Sequence, residues 1–278
     1  MSGNCTRFAL RICATFCVSF SVATATRADP VLQPVKPWVL DYAESQCAAG
    51  RDFGDPEKPI TLIIRPMPMG DAYELQLIRK KLGPAFAEED KGSVDFGKGP
   101  ITASVLHFGS IADKLDIFQF RITNEQMEQA RTASMVTFRN AHGPDASFSL
   151  TSMPALLNRL AACNSDLQRY WNIDQTGATK TPQPASGDVR RVFTSDDYPG
   201  DALRADKEGT AQFLLLIDTS GNIAACDVLK PSGVPLLDAM GCQVIRKRAK
   251  FSPARDAAGK PMRDSVVTPP VAWRISSF

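Results

Sequence analysis

The chain has 278 residues, of which 44% are hydrophobic and 22% charged, a composition typical of a folded globular protein and not of a disordered one. This length accommodates about two domains of ordinary size. The formal net charge is only +2, so the charge balance gives no reason to expect nucleic acid or an anionic membrane surface as the partner.

The first 28 residues have the parts of a secretory signal peptide. Arg7 and Arg11 form a positive region, residues 12–22 are apolar, and residues 23–25 (Ala-Thr-Ala) offer a cleavage site. The apolar stretch is shorter than the ~20 residues that a membrane span needs. We therefore expect residues 1–28 to be removed on export. An uncleaved segment would instead anchor the chain in the inner membrane.

Residues 29–37 are predicted to be an extended lead-in, because their prolines favour extended backbone. From residue 38 to residue 175 the apolar pattern predicts an α+β domain of unknown function. Its predicted strands are short apolar runs, the second with an alternating pattern: 60–64, 73–77, 104–108 and 117–122.

A change of period after the fourth strand predicts a helix. Thr123 and Gln126 fit a capping box, and four residues share one helical face: Met127, Ala130, Ser134 and Phe138. We expect this helix to continue until Gly143 and Pro144 end it. A brief strand around Phe148 and a last helix from about Ser152 complete the domain.

Residues 176–188 are predicted to be a linker, because glycine, threonine, proline and serine dominate them. Residues 189–278 then predict a second small domain. Its first helix begins at Pro199, and residues 213–217 are apolar on both faces, which indicates a central strand. Glycine and asparagine in residues 220–222 predict a tight turn into an antiparallel strand. A second helix begins near Pro235.

The final strand, residues 264–275, contains Pro269 and Pro270. Proline cannot donate a hydrogen bond to a sheet, so this strand is predicted to lie at an edge or to be broken by a bulge. A free edge is what a partner peptide needs for strand addition. The same prolines also protect an edge against unwanted pairing, so the pattern allows both interpretations.

Cysteine usage agrees with export. Three cysteines lie in the predicted signal peptide and would be lost with it, and four remain: Cys47, Cys163, Cys226 and Cys242. Two fall in each predicted domain, and the strand and helix phases bring each pair near the same core. We therefore predict disulfides 47–163 and 226–242, with four buried free thiols as the alternative.

The sequence contains few patterns that are typical of catalytic or metal-binding sites. His107 and His142 have no companion ligand three or four residues away, and the chain has no G-x-S-x-G, S-x-x-K or H-E-x-x-H motif. Gly92, Gly97 and Gly99 near Asp95 are interpreted as a turn. We predict no catalytic residues, no metal site and no cofactor.

Six short features of the second half occur in a fixed order. They are a Tyr-Pro pair before a short helix, a hairpin, a Ser-Gly turn, a Leu-Asp helix, a Phe-x-Pro-Ala exit and a closing Pro-Val-x-Trp strand, at residues 198–199, 213–229, 232–233, 237–238, 251–254 and 270–273. In this order they resemble the TonB C-terminal domain family over about residues 189–276. The resemblance implies an antiparallel sheet packed with two helices.

The resemblance also implies a function. Members of this family bind outer-membrane transporters in the periplasm by pairing with an extended peptide, and they transmit energy from inner-membrane motor proteins. By this resemblance the partner-binding residues are Tyr198, Pro199 and the edge residues Ser265, Val266, Val267 and Thr268. This chain departs from the family in its short apolar N-terminus and short linker.

Two alternatives remain open from the sequence. One is an envelope structural protein that binds peptidoglycan or another envelope protein through its first domain. The other is a periplasmic enzyme with its site in residues 38–171.

Overall fold

The computed structural model describes residues 30–69, 71–84, 87–110, 112–143, 145–173 and 181–275. The predicted signal peptide lies outside these residues, as do residues 174–180 around the start of the predicted linker. None of the helices in the described ranges is long and apolar enough to cross a membrane.

Ten strands of the first region form one wide sheet. The strands are β1 (Val31–Leu32), β2 (Val39–Ala43), β3 (Gln46–Phe53), β4 (Ile60–Pro66), β5 (Ala72–Lys80), β6 (Glu88–Asp95), β7 (Ile101–Ser110), β8 (Leu115–Thr123), β9 (Met135–Asn140) and β10 (Ala146–Ser149). Their order in the large sheet is β1-β10-β9-β6-β7-β8-β5-β4-β3-β2. All neighbours are antiparallel except β1 and β10.

Two helices cover one face of the large sheet, α1 (Asn124–Glu128) and α2 (Met153–Tyr170). Because side chains alternate along a strand, the apolar half of each strand points to this face. Leu160 of α2 and Phe118 of β8 are fully buried in the core there. The predicted disulfide between Cys47 and Cys163 is confirmed and joins β3 to α2, with the two Cα atoms 6.0 Å apart.

The predicted helix after Thr123 is wrong in its second half. Its start is confirmed, because Thr123 and Gln126 form the expected capping box. One turn of 3-10 helix, Gln129–Arg131, then ends it. Phe138 lies instead in β9, where Val136 and Phe138 alternate into the core. Phe138 satisfied the helical spacing by coincidence, while Val136 and Thr137 are residues that favour strands.

The second region has a four-stranded sheet and two helices. Its elements are β11 (Ser186–Gly187), α3 (Gly200–Arg204), β12 (Gly209–Ile217), β13 (Ile223–Lys230), α4 (Pro235–Arg248), β14 (Phe251–Ser252), β15 (Ala254–Arg255), β16 (Pro261–Met262), β17 (Asp264–Val267) and β18 (Val271–Trp273). The small sheet has the order β13-β12-β17, and β18 also pairs with β12. Two further pairs, β11 with β14 and β15 with β16, form short ribbons.

The centre of the small sheet agrees with the sequence. β12 lies between the other strands, and Gly221 adopts φ +84° in the predicted turn before β13. Phe213 and Leu215 share a core with Ile245 of α4. The predicted disulfide between Cys226 and Cys242 is confirmed and ties β13 to α4, with the Cα atoms 5.7 Å apart.

The two regions share a core. Leu214 and Leu216, on the face of β12 away from α4, are buried in the same cluster as Ile122 and Trp171 of the first region. The small sheet is therefore covered on one face by α4 and on the other by the first region. The division into domains at residues 175 and 189 stays a prediction about the chain's folding units.

Candidate partner-binding site

The outer edge of β17 carries backbone groups that point away from β12. β17 pairs with β12 in the register Leu215 to Val266, and Thr268 donates its N–H to the carbonyl of Phe213 at 2.9 Å. Because hydrogen-bonded and non-hydrogen-bonded pairs alternate in antiparallel sheets, Val266 faces β12, whereas Ser265 and Val267 turn their N–H and C=O groups outward. Val267 is 47% exposed.

The rest of the predicted edge is used internally. The Thr268 hydroxyl accepts a hydrogen bond from the N–H of Phe213 at 3.0 Å, and Thr268 is only 1% exposed. The carboxylate of Asp264 is also buried and accepts from the N–H of Ala185, and burial raises its pKa. The N–H of Ser265 also interacts with the Asp264 carboxylate. Of the stretch predicted to bind a partner, Val267 thus presents its backbone most openly to a new strand.

The two prolines break the edge strand, as the sequence predicted. β17 pairs with the second half of β12, and β18 pairs with its first half, Gly209 opposite Trp273. Pro269 and Pro270 lie between the two segments. The edge therefore consists of two short strands separated by residues that cannot donate hydrogen bonds.

Tyr198 lies beside β18. Its ring meets the Trp273 ring edge-on, with 5.5 Å between the ring centroids, and its hydroxyl donates to the carbonyl of Lys207 at 2.6 Å. Burial raises the pKa of the Tyr198 hydroxyl. Phe193 packs on Trp273 in the same way at 5.6 Å. These rings border a cavity of about 300 Å³ that is also lined by Arg190, Pro269, Pro270 and Arg274.

An ion pair that the sequence did not indicate, between Arg248 and Asp197, holds the segment before Tyr198. Arg248 donates to both carboxylate oxygens of Asp197, at 2.6 and 2.8 Å. The hydrogen bonds from Arg248 lower the pKa of Asp197. Arg248, in the last turn of α4, thus fixes the turn that places Tyr198 and Pro199 at the start of α3.

The predicted site residues form two groups. Tyr198 lies with β18 near Gly209, at the start of β12, whereas Ser265 and Val267 lie beside its far end, opposite Leu216 and Leu214. Both groups border the same outer edge of the small sheet. Pro199 is the N-cap residue of α3.

The opposite side of the small sheet holds an ion cluster between the regions. Arg65 of β4 contacts Asp227 of β13 at 2.8 Å and Glu74 of β5 at 3.2 Å. Burial lowers the pKa of Arg65, but the two carboxylates outweigh this effect and the net pKa is raised. Burial raises the pKa of Asp227. No local sequence pattern links Arg65 to a carboxylate so far along the chain.

The histidines make structural contacts. His107 Nε2 lies 2.7 Å from Asp116 Oδ1, and the imidazole stacks on Phe118 at 4.1 Å between centroids. The backbone N–H of His142 donates to the Asp90 carboxylate at 3.0 Å. In the ranges that the structure describes, no group of three or more His, Cys, Asp or Glu side chains could hold a metal ion.

Two of the three glycines around Asp95 form the predicted turn, whereas Gly92 lies within β6 and pairs with Ala103. The Asp95 carboxylate accepts from the N–H groups of Gly97 at 2.7 Å and Gly99 at 3.1 Å. These two glycines have φ angles of +85° and +104°, which explains their presence.

Comparison with known families assigns the second region. Residues 195–275 match the family model of the Gram-negative bacterial TonB protein C-terminal, which confirms the resemblance found in the sequence. The matched segment begins at Ser195, beside the Asp197 turn, and ends after β18, so it contains both groups of predicted site residues. Comparison of the chain with curated proteins and with solved structures gave no match.

Proposed function

We propose that this chain is a periplasmic protein with a protein-binding module. The module captures an extended segment of an outer-membrane transporter, or of another envelope protein, on the outer edge of β17. The TonB C-terminal segment makes the second region an envelope protein-interaction module. The observation that carries the finer proposal is the outward backbone of Ser265 and Val267, derived from the β12–β17 register. An incoming strand would complete these hydrogen bonds.

The aromatic cavity supplies the second part of the proposed contact. A partner strand that pairs with Val267 and continues past Pro269 reaches the cavity beside Tyr198 and Trp273. The backbone of the partner strand finds few hydrogen-bond donors there, because Pro269 and Pro270 have no N–H group. Recognition at this point therefore depends on a side chain that enters the cavity. The Trp273 and Tyr198 rings favour an apolar or aromatic side chain.

Energy transduction would be a further role of such a module. It requires a mechanical connection to the inner membrane, and the short apolar N-terminus favours cleavage instead. Mass spectrometry of the mature N-terminus from the envelope fraction decides this. We expect no peptide that spans residues 12–30, and an intact, membrane-embedded N-terminus would contradict cleavage.

Val267→Pro in the full mature chain tests the binding edge. This change removes one outward N–H but keeps an apolar side chain. The loss of one hydrogen bond, about 1 kcal/mol, should weaken capture by roughly fivefold or more. The measurement is a calorimetric titration with a peptide from the periplasmic N-terminal segment of a TonB-dependent transporter.

The matched control is Val267→Ala, which shortens the side chain but keeps the N–H. It should bind nearly as well as the parent chain. Equal affinity of the parent and a folded Val267→Pro variant would exclude this edge as the binding surface. A parent chain that binds no transporter peptide would limit the family match to the fold.

A further inference from the structure

A large groove lies between the two regions. One wall is the face of the large sheet opposite α2, and the other is formed by β13 and α4. The groove is open to solvent and has a volume of about 1210 Å³, slightly above the roughly 300–1,000 Å³ typical of small-molecule sites.

The outer edge of β13, on the side away from β12, borders this groove. Phe213 and Leu215 direct their backbone groups to β17, so Leu214 and Leu216 pair with Asp227 and Ala225 of β13. By the same alternation, the backbone of Cys226 and Val228 points away from β12. Both residues line the groove.

A hydrogen bond from the first region supports this orientation. Arg121 Nη1 donates to the carbonyl oxygen of Val228 at 2.8 Å, in the place where a neighbouring strand would donate. β13 has eight residues and no proline, so nothing in its own sequence prevents pairing from Val228 back toward Ile223.

Both walls have a mixed lining. On the α4 side, Ala239 and the Cys226–Cys242 disulfide line the groove together with Asp238 and Arg246. On the large-sheet side, the polar side chains of Thr61, Ser104 and Gln119 lie among apolar and charged ones. The groove lining contains five basic and five acidic side chains. This balance matches an uncharged main chain better than a polyanion.

We propose that the edge of β13 is a second strand-acceptor site, and that its ligand is an extended segment of another protein in which small apolar side chains alternate with uncharged polar ones. The apolar side chains face Ala239 and the disulfide, and the polar ones face the hydroxyl and amide groups of the large sheet. Arg121 marks the end of the acceptor edge at Val228. The proposal is independent of the function proposed for β17.

The test uses the full mature chain with both disulfides and a fluorescent peptide in which valine and threonine alternate, with flanking lysines for solubility. A control peptide has proline in place of each valine. Ser104→Trp and Ala239→Trp each fill the groove from one wall. Ser165→Trp, at an exposed site on α2 across the large sheet, is the matched control.

We expect fluorescence anisotropy to detect binding of the alternating peptide and not of the proline peptide. Each groove variant should weaken binding at least tenfold, whereas Ser165→Trp and Val267→Pro should leave it unchanged. The Val267→Pro arm separates this site from the β17 edge. Absence of binding to the parent chain, binding that survives both groove variants, or anisotropy changes caused only by self-association of the chain would overturn the proposal.

Discussion

The two edges of the small sheet are built in opposite ways. The β17–β18 edge consists of strands of four and three residues separated by Pro269 and Pro270, and its exposed side borders solvent. The β13 edge is a strand of eight residues without proline, and it faces the large sheet across a groove. Strand pairing at the β17–β18 edge is limited by the prolines of that edge. Strand pairing at the β13 edge is limited by the large sheet that faces it.

The two edges are thus protected against unwanted strand pairing in different ways. Open edges recruit other strands unless proline, charge or a covering element prevents it. At β17 the prolines restrict pairing to a few residues, which suits a selective partner. At β13 the groove admits only a strand that also fits both walls. Variants of the contacts that hold each edge in place should therefore affect the two edges differently.

Arg65→Ala should have the largest effect and should act on the β13 side. It leaves the carboxylates of Glu74 and Asp227 buried without their shared cation. Removing one partner of a buried ion pair costs about 3–5 kcal/mol. Urea unfolding of the full chain at pH 7 measures the loss.

Arg139→Ala is the control for that variant, because its pair with Asp145 is exposed on both sides. Such surface pairs contribute about 0–1 kcal/mol. If Arg65→Ala destabilises the chain no more than this control, the ion cluster does not hold β13 against the large sheet.

Removal of the Cys226–Cys242 disulfide should have the next largest effect. The bond closes a loop with a sequence separation of 16, and a loop of this length is worth roughly 3 kcal/mol in the chain-entropy model. A Cys226→Ala, Cys242→Ala double variant should lose about that much stability in urea. Because the bond ties β13 to α4, affinity for the alternating peptide should fall and affinity at β17 should not. Equal losses at both edges would contradict the separation.

Gly241→Ala should destabilise both edges together. A methyl group on Gly241 of α4 would overlap the Phe213 ring on β12, the strand that both edges share. Overpacking of this kind costs about 1–3 kcal/mol. Thermal unfolding followed by circular dichroism should show the loss, while Ala224→Ser at an exposed position stays within about 0.5 kcal/mol of the parent. An unchanged melting temperature would mean that the helix shifts freely over β12.

Asp197→Asn should have the smallest effect and should act beside β18. Arg248 lowers the pKa of Asp197, so the pair stabilises the folded chain above the unfolded pKa of about 3.9 and loses this contribution as the pH falls through the folded pKa. The stability difference between parent and variant should be complete at pH 7 and should shrink as the pH falls through the lowered folded-state pKa of Asp197. Chemical unfolding at pH 7 and at a series of acidic pH values measures it. A difference that persists at low pH would assign the effect to something other than ionisation, and Asp166→Asn, at an exposed pair on α2, serves as the control.

The sequence predicts the parts of this fold whose signal is local. Apolar strands such as residues 60–64 and 213–217 form because their side chains alone favour burial. The 226–242 disulfide follows from the phases of its strand and helix, whereas the 47–163 disulfide follows from the presence of two cysteines in each predicted domain. β3 and β6 were missed because Gln46, Gly50 and the charged start of β6 give no strand signal. Their stability comes from neighbouring strands, a tertiary effect.

The candidate site follows the same rule. Tyr198, Pro199 and the proline break are visible in the sequence, because the motifs that carry them are short. The direction of each backbone group in β17 depends on register with β12, and the Arg65–Asp227 contact joins residues 162 positions apart. Neither can be inferred from spacing along the chain.

The burial of Leu214 and Leu216 in the core of the first region has a mechanical consequence. A pulling force on a strand bound at β17 would be transmitted to β12 through the sheet. From β12 it would reach the large sheet and α2 through the Leu214 and Leu216 contacts. Weakening the Leu214 and Leu216 contacts would therefore turn a rigid connection between the two regions into a hinge.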